Sequence, residues 1–457
     1  MDERVILPRT EYDRLLQRIS ELEKALLRTQ GELNELKQKP FKPVRPKKPK
    51  NKDKEGKDKE KKKTTPKKGG RKAGHKGAGR ENPERIDRTV VVEVEKSCPT
   101  CGCAFNGIVN RERVVIDIEP VRPTVNTCYV IQRGWCPNCR VYHSAPVKEA
   151  LPAHRFGFNL MLFVVYQKVG LGLSYGKIKK ELALYFGLTI SRGQLSNIVR
   201  EVNQLFGGAY GDLLRLMRQQ AALHIDETGW KVDGVNHWLW VFVNDVVALF
   251  VMSKSRGSKV PKAVLGTEFD GTIITDFFSA YSPLEVEKAK CWAHLLRESH
   301  KIATPPNGVP PPDPNSEVVR FHTELHQLYL KMGLSLQQVE ADETTRTFLH
   351  SEMRTALSAF ANTDWVDPDC KRLAKRIRKH LDELLVWLTT PDVTPDNNAA
   401  ERALRPAVVT RKTSFGSRSK WGAQAFARLL SVILSWEKQS VDFFAEGKTI
   451  LASAACS

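Results

Sequence analysis

No stretch of this 457-residue chain stays apolar long enough to cross a membrane. A spanning helix needs about 18–20 apolar residues. The best run, Phe156 to Val165, is broken by Asn159 and followed by Gln167 and Lys168. The opening Met1-Asp2-Glu3-Arg4 lacks the pattern of a secretory signal. Nine cysteines in so long a chain, without such a signal, argue for metal ligation or free thiols and against a disulfide framework. Large apolar residues nearly vanish between residues 40 and 85, which excludes a packed core there. Acidic residues are also few in this stretch. Residues 42–80 hold 15 Lys and 3 Arg against 4 acidic residues, a net +14 of the chain's formal +20. Charge gathered in this way calls for a polyanionic partner, most simply nucleic acid, or else serves as a solvated linker. A cytoplasmic protein with no membrane partner is expected.

The rest of the chain divides by pattern. Tyr12, Leu15, Ile19, Leu22, Leu26, Thr29, Leu33 and Leu36 fall on alternating three- and four-residue steps. That spacing predicts a coiled-coil (zipper-like) helix in residues 1–40, or an amphipathic helix packed on its own chain. Residues 41–87 form a basic linker. Its small-residue segment Gly69 to Gly77 would let Arg71, Lys72, His75 and Lys76 approach DNA phosphates. In residues 88–148, Cys98-Pro99-Thr100-Cys101 and Cys136-Pro137-Asn138-Cys139 are two knuckles of two thiolates each. Together Cys98, Cys101, Cys136 and Cys139 would complete a tetrahedral Zn²⁺ site. Four ligands leave no open position, so this zinc would be structural. The 34 residues between Cys101 and Cys136 are long for a zinc ribbon. Hairpin strands such as Arg113–Ile118 with Thr127–Gln132 would fill them, with Cys128 packed in a strand.

Residues 149–215 read as helical. Two segments, Ser174–Phe186 and Ser191–Val202, flank the short turn Gly187-Leu188-Thr189-Ile190. This is the outline of a helix-turn-helix, and equally of a helical hairpin within a core. In the first case Arg192, Gln194 and Asn197 would reach base edges. Strands follow at Ala221–Asp226, His237–Val243, Val246–Met252 and Thr272–Asp276, with a fifth at Lys288–Trp292. Helices are expected at 293–303 and 396–405. This mixture fits an α/β core in residues 216–303 and 391–420. Residues 304–390 form a helical insertion, and 421–457 the C-terminal helices.

The acidic residues that carry chemistry sit in three local sequences: His224-Ile225-Asp226-Glu227-Thr228, Ile273-Ile274-Thr275-Asp276-Phe277 and Asp396-Asn397-Asn398-Ala399-Ala400-Glu401-Arg402. The first two aspartates end apolar runs, and Glu401 lies on a helix. Two strand-end aspartates and a helical glutamate can converge on divalent metal, since carboxylate oxygens suit Mg²⁺ and Mg²⁺ also takes substrate phosphates. Such a site stabilises both oxygens of an in-line phosphoryl displacement. Glu227 should point to the opposite side of the strand from Asp226. Asp396 reads as an N-cap for the Glu401 helix or as a ligand. Arg402, Arg405, Arg411 and Lys412 would neutralise nearby phosphates, although Arg405 is also placed to pair with Glu401 at i,i+4. His294 would approach the site or serve as a hydrogen-bonded structural histidine. Trp230 and Trp292 read as core.

These residues resemble the bacterial transposases of the insertion sequence 66 family. The resemblance rests on Asp396 to Pro406, then Arg411-Lys412 and Phe415-Gly416-Ser417, together with Cys291-Trp292-Ala293-His294, Gly74-His75-Lys76-Gly77 and the two cysteine knuckles. The order of modules agrees as well. The resemblance implies an RNase H-like catalytic core with a D-D-E triad of Asp226, Asp276 and Glu401, spaced 50 and 125 residues apart. It implies two catalytic Mg²⁺ or Mn²⁺ ions held by the triad, beside the structural Zn²⁺. The activity implied is DNA transposition: binding of terminal inverted repeats, cleavage to free a 3′-hydroxyl, and transfer of that hydroxyl to a target. DNA ends and target DNA would be the partners, with a homo-oligomer of at least two copies and, in some elements, small accessory proteins. The protein would be nucleoid-associated when bound. A catalytically inactive DNA-binding regulator and an RNase H-like nuclease are the alternatives.

Overall fold

The computed structural model describes residues 124–130, 133–136, 141–144, 147–152, 154–304, 312–338 and 343–455. The expected coiled coil, the basic linker with Arg71, Lys72, His75 and Lys76, and the zinc ligands Cys98, Cys101 and Cys139 lie outside these residues. Beside the second knuckle, β1 (Arg133–Cys136) pairs antiparallel with β2 (Val141–Ser144). Cys128, expected in a strand, is instead exposed in an irregular segment. The ladder starts only at Arg133, so among the described residues no neighbouring strand covers the cysteine.

Four helices come next: α1 (Phe158–Val165), α2 (Tyr175–Phe186), α3 (Arg192–Leu205) and α4 (Gly207–Arg218). The expected helix–turn–helix outline is present. Ser174 caps α2 through the Lys177 N–H. Gly187 ends α2 with φ +65°, a left-handed conformation that glycine adopts without a Cβ clash. Ser191 and Gln194 cap α3 reciprocally as a capping box. The apolar faces of these helices (Ile178, Leu182, Leu195, Ile198 and Val202) share one hydrophobic core with the sheet that follows.

That sheet has five strands: β3 (Ala222–Val232), β4 (Val235–Val243), β5 (Ala248–Ser253), β6 (Thr272–Thr275) and β7 (Glu287–Lys290). Their spatial order is β5-β4-β3-β6-β7. The first three are antiparallel; β6 and β7 run parallel to β3. Two expectations need correcting. Asp226 does not end its strand, because β3 continues six residues further and pairs with β4 as far as Val232↔Val235. The turn is Asp233-Gly234 with φ +50° and +76°, both positive as a tight two-residue hairpin requires. Trp292 does not belong to the last strand either. It opens α6 (Trp292–Ala303), and its backbone N–H bonds the Pro395 carbonyl instead of a ladder partner.

The insertion supplies α7 (Glu317–Gln338), α8 (Glu343–Asn362), α9 (Pro368–Lys379) and α10 (Val386–Thr389), after α5 (Lys259–Leu265) has filled the crossover from β5 to β6. With α6, Ile274 and Ala289 these helices bury a second apolar cluster around Phe321, Phe360 and Trp365. The chain then runs through α11 (Asn398–Ser414), α12 (Lys420–Lys438) and α13 (Phe443–Ala455). The helix carrying Glu401 is thus much longer than expected and continues through Pro406. Past its end Gly416 has φ +110°, and a Cβ there would lie 2.2 Å from the Lys231 carbonyl oxygen, so only glycine fits. Ser417 is then added beside Val232 as a parallel bridge and accepts the indole N–H of the buried Trp230.

Strand β5 is an edge, and α12 closes it with side chains. Ser431 and Ser435, one helical turn apart and fully buried, accept the Phe250 and Ala248 backbone N–H groups at 2.7 and 2.9 Å. A row of unpaired backbone groups is thereby satisfied, which blocks pairing with another strand.

Candidate active site

The sheet brings two of the three acidic residues together by register. Strands β3 and β6 are parallel neighbours, with His224 opposite Ile274. Two residues further on lie Asp226 and Asp276, on the same face and on strands about 4.8 Å apart. Asp276 follows the last residue of β6, so the expectation that it ends a strand holds. Each aspartate is locally braced: Asp226 Oδ1 accepts the Glu227 N–H and Asp276 Oδ1 accepts the Phe278 N–H, both at 2.8 Å. Glu401, in the first turn of α11, is the third. It is near enough to act on Asp226, whose carboxyl is pushed up to about 7 by burial first, then by the Glu227, Asp276 and Glu401 charges.

Glu401 meets α6. His294 Nε2 and an Arg297 guanidinium nitrogen each stand 3.6 Å from its Oε1. The i,i+4 alternative for Arg405 is not adopted, since Arg405 is exposed and the partners of Glu401 come from α6. His294 Nδ1 is buried with no hydrogen-bond partner among the described residues.

Asp226, Asp276 and Glu401 carry hard carboxylate oxygens of the kind a divalent cation takes. Burial is the main cause of the raised Asp226 pKa, and the neighbouring Glu227, Asp276 and Glu401 charges add to it. Among the described residues no three His, Cys, Asp or Glu side chains are close enough together to hold one metal ion. The carboxylates are neighbours at electrostatic range.

A family model described as "Transposase IS66 family" matches residues 154–425, a span that holds the sheet, the insertion and all three acidic residues. The chain belongs to the IS66 transposase family. It is also similar to "Uncharacterized protein y4jD" of Sinorhizobium fredii (strain NBRC 101917 / NGR234), 22% identical over 411 residues, with 79% of this chain and 76% of that protein covered. A second similar protein from the same strain, "Uncharacterized protein y4qI", is 24% identical over 333 residues, covering 65% of this chain and 58% of its own length. Membership of the IS66 family places the chain among phosphoryl-transfer enzymes of mobile elements, which generally use divalent metals.

In this IS66-family transposase one buried side chain joins the parts of the site, and its role was not read from the sequence. Asn397 is 1% exposed. Its Nδ2 donates to the Ile225 carbonyl at 2.8 Å, its Oδ1 meets His224 Nδ1 at 3.1 Å, and its backbone N–H reaches Cys291 Sγ at 3.1 Å. It therefore ties the start of the Glu401 helix to the strand carrying Asp226 and to the start of α6. Burial lowers the pKa of His224, which favours the neutral ring in this contact. Asp396, read as an N-cap or a ligand, does not occupy the N-cap. Asn397 does, and the Asp396 carboxylate instead accepts the Asn398 N–H at 2.9 Å in the turn before it. The signal available in the sequence was the pair Asn397-Asn398 directly before the helix.

A second residue missed in the sequence is Lys290. Its ammonium is buried and bonds Thr275 Oγ1 at 3.0 Å and the Asp276 carbonyl at 3.1 Å. Burial lowers its pKa. It fixes the strand end from which Asp276 projects. Glu227 does turn away from Asp226, as strand alternation requires, and its carboxylate is taken up by Arg256 and Tyr281.

The four basic residues around Glu401 divide into two kinds. Arg402, Arg405 and Lys412 are exposed on α11. Arg411 instead reaches inward and donates to Thr228 Oγ1 at 2.9 Å and to the Gly229 carbonyl. On α3, Arg192, Gln194 and Asn197 are exposed, with the Gln194 side-chain oxygen engaged by the Ser191 N–H in the helix cap. The expected core tryptophans, Trp230 and Trp292, are buried.

Proposed function

We propose that this transposase cuts and joins DNA with Asp226, Asp276 and Glu401 as a D-D-E triad holding Mg²⁺ or Mn²⁺. The observation that carries the reading is the parallel β3–β6 register, which sets Asp226 and Asp276 side by side, with Glu401 in the first turn of α11 near enough for its charge to act on Asp226. A protein has little reason to gather carboxylates in a half-buried space unless a cation joins them. Bound divalent ions supply Lewis-acid stabilisation of the attacking and leaving oxygens in an in-line displacement.

The chain's own residues do the remaining work. Asp226 and Asp276 present carboxylate oxygens from two adjacent strands, oriented by the backbone N–H bonds described above. Asn397 holds the Glu401 helix in register with them. His294 and Arg297 keep Glu401 partly neutralised until metal and DNA arrive. Arg402, Arg405 and Lys412 line an exposed side of α11 and contact phosphates, which position the duplex without reading its sequence. Arg411 acts through its hold on β3. Recognition of the terminal inverted repeats falls to Arg192, Gln194 and Asn197 on α3 and to Arg71, Lys72, His75 and Lys76 of the basic segment. Cys98, Cys101, Cys136 and Cys139 hold a structural Zn²⁺. Two DNA ends must meet for transposition, so the working form is a homo-oligomer of at least two copies, with small accessory proteins as further partners.

The test is strand cleavage and joining on DNA carrying the element's ends, in Mg²⁺ or Mn²⁺. The expected result is chemistry by the natural protein and none by Asp226→Asn, Asp276→Asn or Glu401→Gln, each of which still binds the ends. Specific end binding without chemistry in the natural protein would favour a DNA-binding regulator. Cleavage without joining would favour a nuclease.

A further inference from the structure

Arg256 lies in the connection after β5 and is held from three directions. Its Nε and one terminal nitrogen both meet Glu227 Oε1 at 2.8 Å. Its guanidinium carbon lies 4.0 Å from the Phe278 ring centre and 4.4 Å from that of Trp238. Glu227 is itself fixed: its side chain is 2% exposed, and its other oxygen accepts the Tyr281 hydroxyl at 2.6 Å. The Arg256 side chain, by contrast, is 43% exposed.

A guanidinium has five N–H donors. Two are used on Glu227, which leaves three on the side away from the clamp. The arrangement fixes a cation whose free donors face outward and whose planar fork matches phosphate geometry. Neutralising Glu227 uses only the two donors turned toward it and leaves the exposed remainder of the guanidinium for a ligand. The location argues for the reacting end of the sheet. Glu227 directly follows Asp226 on β3, and Phe278, whose ring lies against Arg256, donates its backbone N–H to Asp276 Oδ1. Glu227 turns to the side of β3 away from Asp226, so the link to the triad runs through Phe278, which puts Arg256 two contacts from Asp276.

We propose that Arg256 binds a backbone phosphate of the DNA strand next to the one held at the carboxylates, with Glu227 and Tyr281 as its positioning residues. The inference rests on the DNA-transfer reading and adds to it a phosphate contact outside the triad and outside the basic face of α11. Lysine cannot replace this residue, because an ammonium cannot hold the Glu227 fork and present a planar pair of donors to phosphate at once.

The experiment measures equilibrium binding of the full chain to a duplex bearing the element's end, with Ca²⁺ in place of Mg²⁺. It uses a set of duplexes in which one neutral methylphosphonate is walked across the phosphates around the cleaved bond. In the natural protein one or two positions should weaken binding about tenfold, the scale of a hydrogen bond to a charged group. Arg256→Ala and Arg256→Lys should bind unmodified DNA about tenfold more weakly and become indifferent to methylphosphonate at those same positions. The double variant Glu227→Gln/Arg256→Met removes the buried Glu227 charge together with its counter-ion and guards against misfolding. It should show the same loss and the same indifference. If arginine substitution and methylphosphonate add independently at every position, or if the double variant restores natural binding, Arg256 only neutralises Glu227 and the proposal fails while the transposase reading stands. If the natural protein binds no such DNA, the transposase reading fails and this proposal fails with it.

Discussion

Two ends of one sheet treat polar groups in opposite ways. At the β5 edge outward-facing backbone groups are answered by side chains: Ser431 and Ser435 accept the Phe250 and Ala248 N–H groups, and the Tyr210 hydroxyl donates to the Phe250 carbonyl at 3.1 Å. At the β3–β6 end, Asp226 and Asp276 stand side by side with Glu401 nearby, and Asp226 is raised to about 7. The first arrangement is what stability alone selects, since a buried unsatisfied group costs about 1–3 kcal/mol. The second opposes stability. The contrast supports the proposed site at Asp226, Asp276 and Glu401.

If that contrast is sound, substitutions at the two ends should have opposite signatures. The largest effect is expected for Asp276→Asn or Glu401→Gln, where strand cleavage and joining should fall to background while thermal stability in metal-free buffer stays level or rises. A melting curve beside the cleavage assay checks both halves. Next comes the edge. Ser431→Ala/Ser435→Ala strands two buried N–H groups and should cost about 2–4 kcal/mol, lowering the melting temperature while the remaining folded protein stays active. Equal loss of activity and stability at both ends would break the comparison.

A smaller effect follows from pH. Asp226 has a folded pKa raised above the ordinary carboxylate value, so the folded state holds a proton that the unfolded state releases. Its favourable contribution is present below about pH 4 and is lost as pH rises through about 7. Metal-free protein should therefore lose stability across that window. Asp226→Asn should flatten this limb, and Mg²⁺ should raise the melting temperature of the natural protein above pH 7 more than that of the variant. Calorimetry at several pH values reads all three. The smallest effect is expected for Ser417→Ala, which removes the acceptor for the Trp230 indole at 3.1 Å. A loss of about 1 kcal/mol with unchanged cleavage would show that the Phe415-Gly416-Ser417 turn braces β3 and does not touch DNA through this hydroxyl.

Much of the architecture could be read in advance, because strand and helix periodicities report burial directly. The five strands, the helical insertion and the capped pair Ser174–Phe186 and Ser191–Val202 all announce themselves through alternation or caps. So do Asp276 at the end of β6 and Glu401 on its helix. Asp226 was misplaced to a strand end because Thr228 and Gly229 interrupt the apolar run. The strand continues there through pairing with β4, a tertiary partner that local pattern does not reveal. Contacts between distant segments were hidden for the same reason. Asn397 to His224, Arg256 to Glu227 and Ser431 to β5 each join residues that are far apart in the chain, and a single polar letter does not name its partner.

The central claim is that Asp226, Asp276 and Glu401 form one divalent-metal site. The direct measurement replaces Mg²⁺ with Fe²⁺ and lets locally generated hydroxyl radicals cut the polypeptide around the bound ion. The expected result is a set of fragments ending near residues 226, 276 and 401 together, suppressed by excess Mg²⁺ and lost in Asp276→Asn. Cuts confined to one of the three segments, or a pattern unchanged by that substitution, would contradict the account.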